Sequence, residues 1–214
     1  MILRVFAALA LVLGAGALTF YLWWVGETPF SSAADRHLRV MKERTAVPER
    51  YEPFTFADFA ALPHARPVSE YAALERRAVS LVGHVQSLFL SLDGDFHLAV
   101  VEQADSTRWT DLPSVTAELT PQFQRGSTRW TLEPLHARLR PFPRSGPPWP
   151  GGPRRVRISG WLLYDFQYDA PYVSTRPRLT PSPGRPRLTA WEIHPVTRID
   201  LWDDSLQAFV EYSR

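Results

Sequence analysis

The order of β-rich segments between residues 77 and 202 most constrains what this chain can fold into. Three segments with strand patterns come first, a stretch without that pattern follows, and two more strands end the region. Successive side chains of a strand point to opposite faces. In the second segment Phe96, Leu98 and Val100 share one face, and Asp95 and His97 share the other. The predicted strands span residues 77–91, 95–101, 114–120, 155–166 and 188–202. This order predicts an all-β domain.

A helical connection separates the third predicted strand from the fourth. A short helix is predicted over residues 130–139, and residues 141–153 are rich in proline and glycine. Three strands, a helical connection and two more strands form the order of elements in an OB fold, a five-stranded Greek-key barrel. Gly83 and Gly160 lie inside the first and fourth strands, where the strands of a small barrel bend. The sequence therefore predicts an OB-type barrel over residues 75–204.

The N-terminus predicts attachment to a membrane. Residues 5–25 carry no charge, which is enough chain to cross a bilayer core as a helix. Tyr21, Trp23 and Trp24 stand at its far end, as in an interfacial aromatic belt. A cleaved signal peptide is the alternative. The short basic tail before the run favours a single-pass protein with an extracytoplasmic, periplasmic barrel, whereas the basic residues between 36 and 44 favour the opposite orientation.

A connecting region joins the predicted anchor to the barrel. Helical spacing predicts an amphipathic helix over residues 33–44 and a second helix over residues 55–62, with Thr55 as its N-cap. We interpret the region as a linker that packs aromatic side chains on the barrel. The predicted parts are an anchor or signal peptide (1–25), a linker (26–74), the barrel (75–204) and a C-terminal tail (205–214).

The composition excludes several kinds of chemistry. The chain contains no cysteine, which excludes disulfides, thiolate zinc sites and cysteine nucleophiles. It also has no phosphate-binding glycine loop, no Gly-x-Ser-x-Gly motif and no His-Glu-x-x-His motif. No small-molecule cofactor is therefore expected.

Four short segments are similar to an uncharacterised group of small bacterial OB-like domains, many of which are exported. The segments are DGDFHL from Asp93, VTAEL from Val115, ISGWLLYD from Ile158 and WEIHPV from Trp191. They resemble the group's signatures DGDxH, AEI, GxxxxD and ELHPV. The resemblance covers about residues 77–202 and implies the fold and an envelope location, but no activity, because the group has none assigned. In that group a histidine often follows the fourth strand, and this chain has Gln167-Tyr168-Asp169 there.

Acidic and histidine side chains share the outward faces of the predicted strands. The third strand of an OB barrel lies beside both the second and the fifth, so these side chains can form one cluster. The candidates are Asp95, His97, Glu118, Asp165, Glu192 and His194. Imidazole and carboxylate groups bind divalent metals, with His97 and His194 as the histidine ligands, and such an ion can activate water. The alternative is a hydrogen-bonded network that fixes the ends of the strands.

Arginines are concentrated between residues 125 and 187. This stretch holds twelve arginines against three acidic residues. Basic loops with aromatic neighbours are where OB barrels bind oligonucleotides and sugars. The polyanion-binding candidates are Arg154, Arg155, Arg176, Arg178, Arg185 and Arg187. Because Lys42 is the only lysine, the codon bias of a GC-rich genome is the alternative explanation, with solvated loops that contact anionic lipid headgroups.

Three functional interpretations stay open at this point. The leading one is a non-enzymatic, membrane-anchored OB module that binds a polyanion, a glycan or a protein partner. The second is a metal-dependent hydrolase, such as a nuclease, built on the acidic and histidine cluster. The third is a structural subunit whose barrel docks on a larger membrane complex.

Overall fold

The computed structural model describes residues 2–24, 32–104, 111–142, 149–169 and 186–213, and in the first helix it describes the side chains of residues 9–21. The chain divides into two units, Met1–Glu43 and Arg44–Arg214. The second unit contains the whole sheet and both candidate sites discussed below.

The first unit consists of helices α1 (Ile2–Trp24) and α2 (Ala33–Lys42). Ser32 caps α2, because its hydroxyl accepts the backbone N–H of Asp35 while the Asp35 carboxylate accepts the backbone N–H of Ser32. The helix predicted over residues 33–44 is confirmed. The predicted membrane-spanning helix is not supported, since no helix in the described residues combines the length and apolar character needed to cross a membrane.

Five strands of the second unit close into a barrel. The seven strands of the sheet are β1 (Glu52–Phe54), β2 (Ala78–Leu90), β3 (Phe96–Val101), β4 (Ser114–Leu119), β5 (Arg155–Tyr164), β6 (Arg187–Asp203) and β7 (Ala208–Glu211). The barrel runs in the order β2-β3-β4-β6-β5, and β5 pairs back with β2. Strands β4 and β6 are parallel, and the other barrel pairs are antiparallel. The five predicted strands are confirmed, and the topology is compatible with the predicted OB type.

Short helices lie before the barrel and between its strands. Helix α3 (Phe56–Ala61) begins after Thr55, whose side chain accepts the backbone N–H of Asp58, as the sequence predicts. Helices α4 (Pro121–Gln124) and α5 (Leu132–Leu139) connect β4 to β5. Leu135 and Leu139 of α5 are fully buried. The predicted helix between the third and fourth strands is therefore confirmed.

Gly83 and Gly160 lie where the backbones of neighbouring strands approach closely. A Cβ atom at Gly83 would clash with the carbonyl oxygen of Val101, and one at Gly160 would clash with the carbonyl oxygen of Pro195. The β5–β6 register also shifts on both sides of Gly160. The absence of a side chain thus permits the close pairing that a small closed barrel requires.

Two short strands lie outside the predicted barrel range. Strand β1 pairs with β2 in parallel within the predicted linker, and β7 pairs with β6 within the predicted tail. The linker is also held by hydrogen bonds: the Trp191 indole donates to the carbonyl of Pro63, and the backbone N–H of Ala65 donates to Asp169. Strands of three or four residues are too short to show the alternation that reveals a strand in a sequence.

Candidate functional site

The first candidate site lies on β4 between its two neighbours, β3 and β6. Glu118 of β4 is directly opposite His97 of β3. The parallel β4–β6 register pairs Ala117 with Ile193, which places Glu118 beside His194. We call Asp95, His97, Glu118 and His194 the polar cluster.

The carboxylate of Glu118 contacts two imidazole rings. Its Oε2 atom lies 2.8 Å from Nδ1 of His194, in a hydrogen bond that the imidazole donates when the carboxylate is ionised. Its Oε1 atom lies 3.1 Å from Nε2 of His97, within ion-pair distance. The His97 ring also stacks on Phe89 with a centroid distance of 5.2 Å. Contacts on both oxygens fix the orientation of the Glu118 side chain.

Asp95 completes a group with the donor set of a metal site. One ligand atom from each of Asp95, Glu118 and His194 lies within 4.8 Å of the other two. Glu118 and His194 are 0% exposed and Asp95 is 5% exposed. The outward face of the barrel is therefore as buried here as its interior, although an outward strand face is more often solvated.

Glu192 and Asp165, which the sequence also assigns to this cluster, contact Arg187 and Gln167. Oε1 of Glu192 lies 2.6 Å from Nη1 of Arg187 in a buried ion pair. The Arg187 guanidinium lies 3.4 Å from the centre of the Tyr168 ring. Oδ1 of Asp165 accepts the backbone N–H of Gln167, at the start of the 3-10 helix Phe166–Tyr168.

Burial and the acidic neighbours of Arg187 act in opposite directions on its charge. Burial is the largest single effect and lowers the pKa of Arg187, but attraction by Glu192, Tyr168 and Asp165 together with the Glu192 hydrogen bond outweighs it, and the pKa is raised overall. Arg187 is therefore held as a cation inside the protein. This position explains it better as the partner of Glu192 than as a contact for a polyanion.

The other arginine candidates fall into two groups. Arg176, Arg178 and Arg185 lie outside the described residues. Arg155 places its guanidinium 4.9 Å from the centre of the Trp202 ring, which packs it against the β6–β7 hairpin. Arg154 lies directly before β5 and faces a cleft.

This cleft, which we call the arginine cleft, is the second candidate site. It has a volume of about 560 Å³ and is bounded by α5, the start of β5 and the β6–β7 hairpin. Its walls include Arg129, Arg138 and Arg154 together with the rings of Trp202 and Tyr212. The guanidinium of Arg129 lies 5.9 Å from the centre of the Tyr212 ring. The cleft thus combines cations with aromatic surfaces.

The acidic residues of the arginine cleft have hydrogen-bond or ion-pair partners outside its three arginines, although the charge of Arg154 also contributes to lowering the pKa of Asp203. Asp203 accepts the hydroxyl and the backbone N–H of Ser205, and the hydroxyl hydrogen bond is the largest cause that lowers the pKa of Asp203. Glu211 lies 3.4 Å from Arg198. Within the described part of the chain, Arg129, Arg138 and Arg154 form no ion pair. These three cations remain available to an anionic ligand.

No protein-family model matches this chain, and no curated protein matches it. The fold and the two sites define a small β-barrel protein with a buried histidine–carboxylate cluster and an exposed cationic cleft.

Sequence reasoning missed the aromatic wall of the cleft, because Trp202 stands at the end of a predicted strand and Tyr212 in a predicted tail. It also missed His64, which lies 3.1 Å from the Thr189 hydroxyl and 3.8 Å from Asp169. No sequence motif flanks Trp202, Tyr212 or His64, so no signal in the sequence indicates the contacts that they make.

Proposed function

We propose that this protein is a membrane-anchored binding module with an OB-type barrel, and that its arginine cleft holds an anionic ligand. The observation that carries the proposal is the set of three cleft arginines that form no ion pair within the described residues. An arginine that serves only stability normally forms an ion pair with a carboxylate, and none of these three does so within the described residues. Three such cations around one cleft favour a negatively charged ligand.

The OB assignment rests on strand order and orientation. A barrel that runs first, second, third, fifth and fourth strand, with the third and fifth parallel and a helix after the third, has the connectivity of this fold. The DGDFHL and WEIHPV segments that resemble the bacterial OB-like group lie in and beside β3 and in β6, the two neighbours of β4. We therefore propose membership of that group.

The cleft chemistry indicates which ligands suit it. Guanidinium groups bind phosphate and carboxylate oxygens with two parallel hydrogen bonds. The partly exposed Trp202 ring offers a surface on which a base or a sugar ring can stack. A single-stranded nucleic acid or an anionic glycan has both features, and we propose this class of polyanion as the ligand.

Binding of a polyanion is tested with the full chain and three probes: single-stranded DNA, single-stranded RNA and heparin. Each neutralised phosphate of a single strand contributes roughly 0.7 to the log–log slope of affinity against salt. Replacing Arg129, Arg138 and Arg154 with Gln should therefore flatten the slope by about 2 and weaken binding at low salt. Fluorescence anisotropy at two salt concentrations measures both quantities.

A second triple variant controls for net charge. Arg50, Arg66 and Arg76 are exposed and lie outside the cleft, so replacing them with Gln removes the same charge elsewhere. This control should bind as the wild type does. Equal losses in both variants would show that only the overall charge matters. No binding of any probe at low salt would contradict the proposal and leave the docking subunit as the better function.

The envelope location rests on the charge-free run of residues 5–25, which follows a short basic tail. We propose that this run anchors the chain and that the barrel lies on the extracytoplasmic side. A reporter enzyme that is active only in the periplasm, fused after Arg214, should be active. An inactive fusion present at normal levels would contradict export of the barrel.

A further inference from the structure

The polar cluster brings two carboxylates and an imidazole together where water is nearly excluded. The ligand atoms of Asp95, Glu118 and His194 lie within 4.8 Å of one another, and each of these residues is at most 5% exposed. Two ionised carboxylates this close repel each other, and burial strengthens the repulsion because the dielectric constant is low. A cation bound between them would remove this cost.

We infer that the polar cluster is a binding site for one divalent first-row transition-metal ion, with Asp95, Glu118 and His194 as its protein ligands. Mixed imidazole and carboxylate ligands suit Zn²⁺, Mn²⁺, Fe²⁺ and Co²⁺. Calcium and magnesium are disfavoured, since they require more oxygen ligands and rarely use histidine. This inference does not depend on the function proposed for the arginine cleft, which uses none of these residues.

The spacing of the ligand atoms can be compared with that around a bound ion. Ligand atoms at 2.0–2.2 Å from a tetrahedral ion lie about 3.4 Å apart. The His194–Glu118 hydrogen bond, at 2.8 Å, shows that these two side chains already approach each other at least that closely. On metal binding this hydrogen bond would be replaced by coordination of both groups to the same ion.

His97 acts on the site through Glu118. Its Nε2 atom lies 3.1 Å from Oε1 of Glu118, and its ring is held against Phe89. A group that holds a ligating carboxylate in place increases the affinity for the metal without touching it. His97 is thus a positioning residue, and its removal should weaken binding less than removal of a ligand.

Burial of the ligands indicates the role of the ion. Structural zinc sites have four protein ligands, whereas catalytic sites have three and keep the fourth position for water or substrate. With three protein ligands the fourth position here would hold water, and burial decides whether a substrate can reach it. Glu118 and His194 are 0% exposed, so the ion would join β3, β4 and β6 rather than meet a substrate. Metal binding should therefore raise the melting temperature.

The experiment uses tag-free full-length protein that has been treated with EDTA and dialysed. Isothermal titration with Zn²⁺ and with Co²⁺ should give one ion per chain with micromolar or tighter affinity. Co²⁺ should add visible absorption bands of an imidazole–carboxylate site, and Zn²⁺ should raise the melting temperature. Asp95→Asn should weaken binding at least 100-fold and abolish the thermal shift, and His97→Gln should weaken it about 10–100-fold.

Folding and specificity are controlled separately. Asp95→Asn keeps the shape of the side chain, and circular dichroism verifies that it folds before its affinity is compared. His136→Gln removes an exposed histidine of α5 outside the cluster and should leave binding unchanged. If wild type binds neither ion, or if folded Asp95→Asn binds as tightly as wild type, the inference is wrong and the cluster is a hydrogen-bonded network alone.

Discussion

The polar cluster and the arginine cleft both contain ionisable side chains, but those of the cluster are buried and paired whereas the arginines of the cleft form no ion pair among the described residues. In the cluster every member is at most 7% exposed, and Glu118 has an imidazole against each oxygen. In the cleft Arg129 and Arg138 are exposed and form no ion pair among the described residues. Burial makes an uncompensated charge costly, whereas water solvates an exposed one at little cost. The paired charges of the cluster therefore indicate a role in stability or in binding an ion. The solvated charges of the cleft indicate a surface that is available to a ligand.

The largest expected effect is on stability when a charge is removed from the cluster. Glu118→Ala leaves His97 and His194 without their shared carboxylate in a buried region, which should cost about 3–5 kcal/mol of the free energy of unfolding. Glu211→Ala removes the exposed partner of Arg198 and should cost less than about 1 kcal/mol. Urea denaturation of both variants measures the difference. Equal losses would break the distinction between the two regions.

Two arginines test the same distinction between paired and solvated charge: Arg187, which pairs with a buried carboxylate, and Arg138, which is exposed in the cleft. Arg187→Gln removes a buried ion pair with Glu192 and should cost about 2–3 kcal/mol. Arg138→Gln changes an exposed cleft residue and should change stability by no more than about 0.5 kcal/mol. Thermal unfolding at one pH compares them. A large loss in Arg138→Gln would show that the cleft arginines serve stability and not binding.

A smaller effect is expected on ligand binding from the aromatic wall of the cleft. Trp202→Ala removes the surface on which a base can stack and should weaken binding of single-stranded DNA by about 1–3 kcal/mol. Trp161→Ala is the matched control, because its indole donates to the carbonyl of Ala46, away from the cleft. Fluorescence anisotropy measures both variants. If the control loses as much affinity as Trp202→Ala, stacking in the cleft is not the cause.

The smallest expected effect is a change in the pKa of His84, which pairs with Arg155 across β2 and β5. Burial is the main cause that lowers the pKa of His84, and the positive charge of Arg155 lowers it further. Arg155→Gln should therefore raise this pKa slightly, as an NMR titration of the imidazole would show.

The sign of the stability effect follows from the direction of that shift. A depressed pKa means that the neutral form of His84 stabilises the fold above its unfolded pKa of about 6.5, and that this stability is lost as the pH falls. Arg155→Gln should make the acid-induced loss smaller. An unchanged pKa of His84 would mean that the charge of Arg155 does not reach the imidazole.

Much of the barrel could be predicted because each strand carries its own local signal. The alternation from Asp95 to Val101, the Asp93-Gly94 turn and the internal Gly83 and Gly160 are properties of short segments, and the structure places strands, a turn and close strand contacts there. The convergence of Asp95, Glu118 and His194 also followed from the sequence, because the predicted topology puts β4 between β3 and β6.

The partners of individual side chains could not be predicted in the same way. Glu192 shares a strand face with His194, yet it pairs with Arg187 rather than with the cluster. Arg187 stands in the same Arg-Pro-Arg segment as Arg185 in the sequence, yet its side chain is only 15% exposed and pairs with the buried Glu192. The partner of each side chain depends on the twist of the strands and on which segments pack over them, and a local sequence pattern contains neither.

The sequence by itself determined the strands, their order and the sets of side chains that share a face, because period-two alternation and turn residues act over a few residues. Only the tertiary structure decided which charges are buried and paired and which stay in water. The β6–β7 hairpin and α5 surround the arginine cleft with residues that lie up to 83 positions apart in the chain, such as Tyr212 and Arg129. Burial and long-range pairing arise from the packing of distant segments, and their free energy is not a property of any one of them.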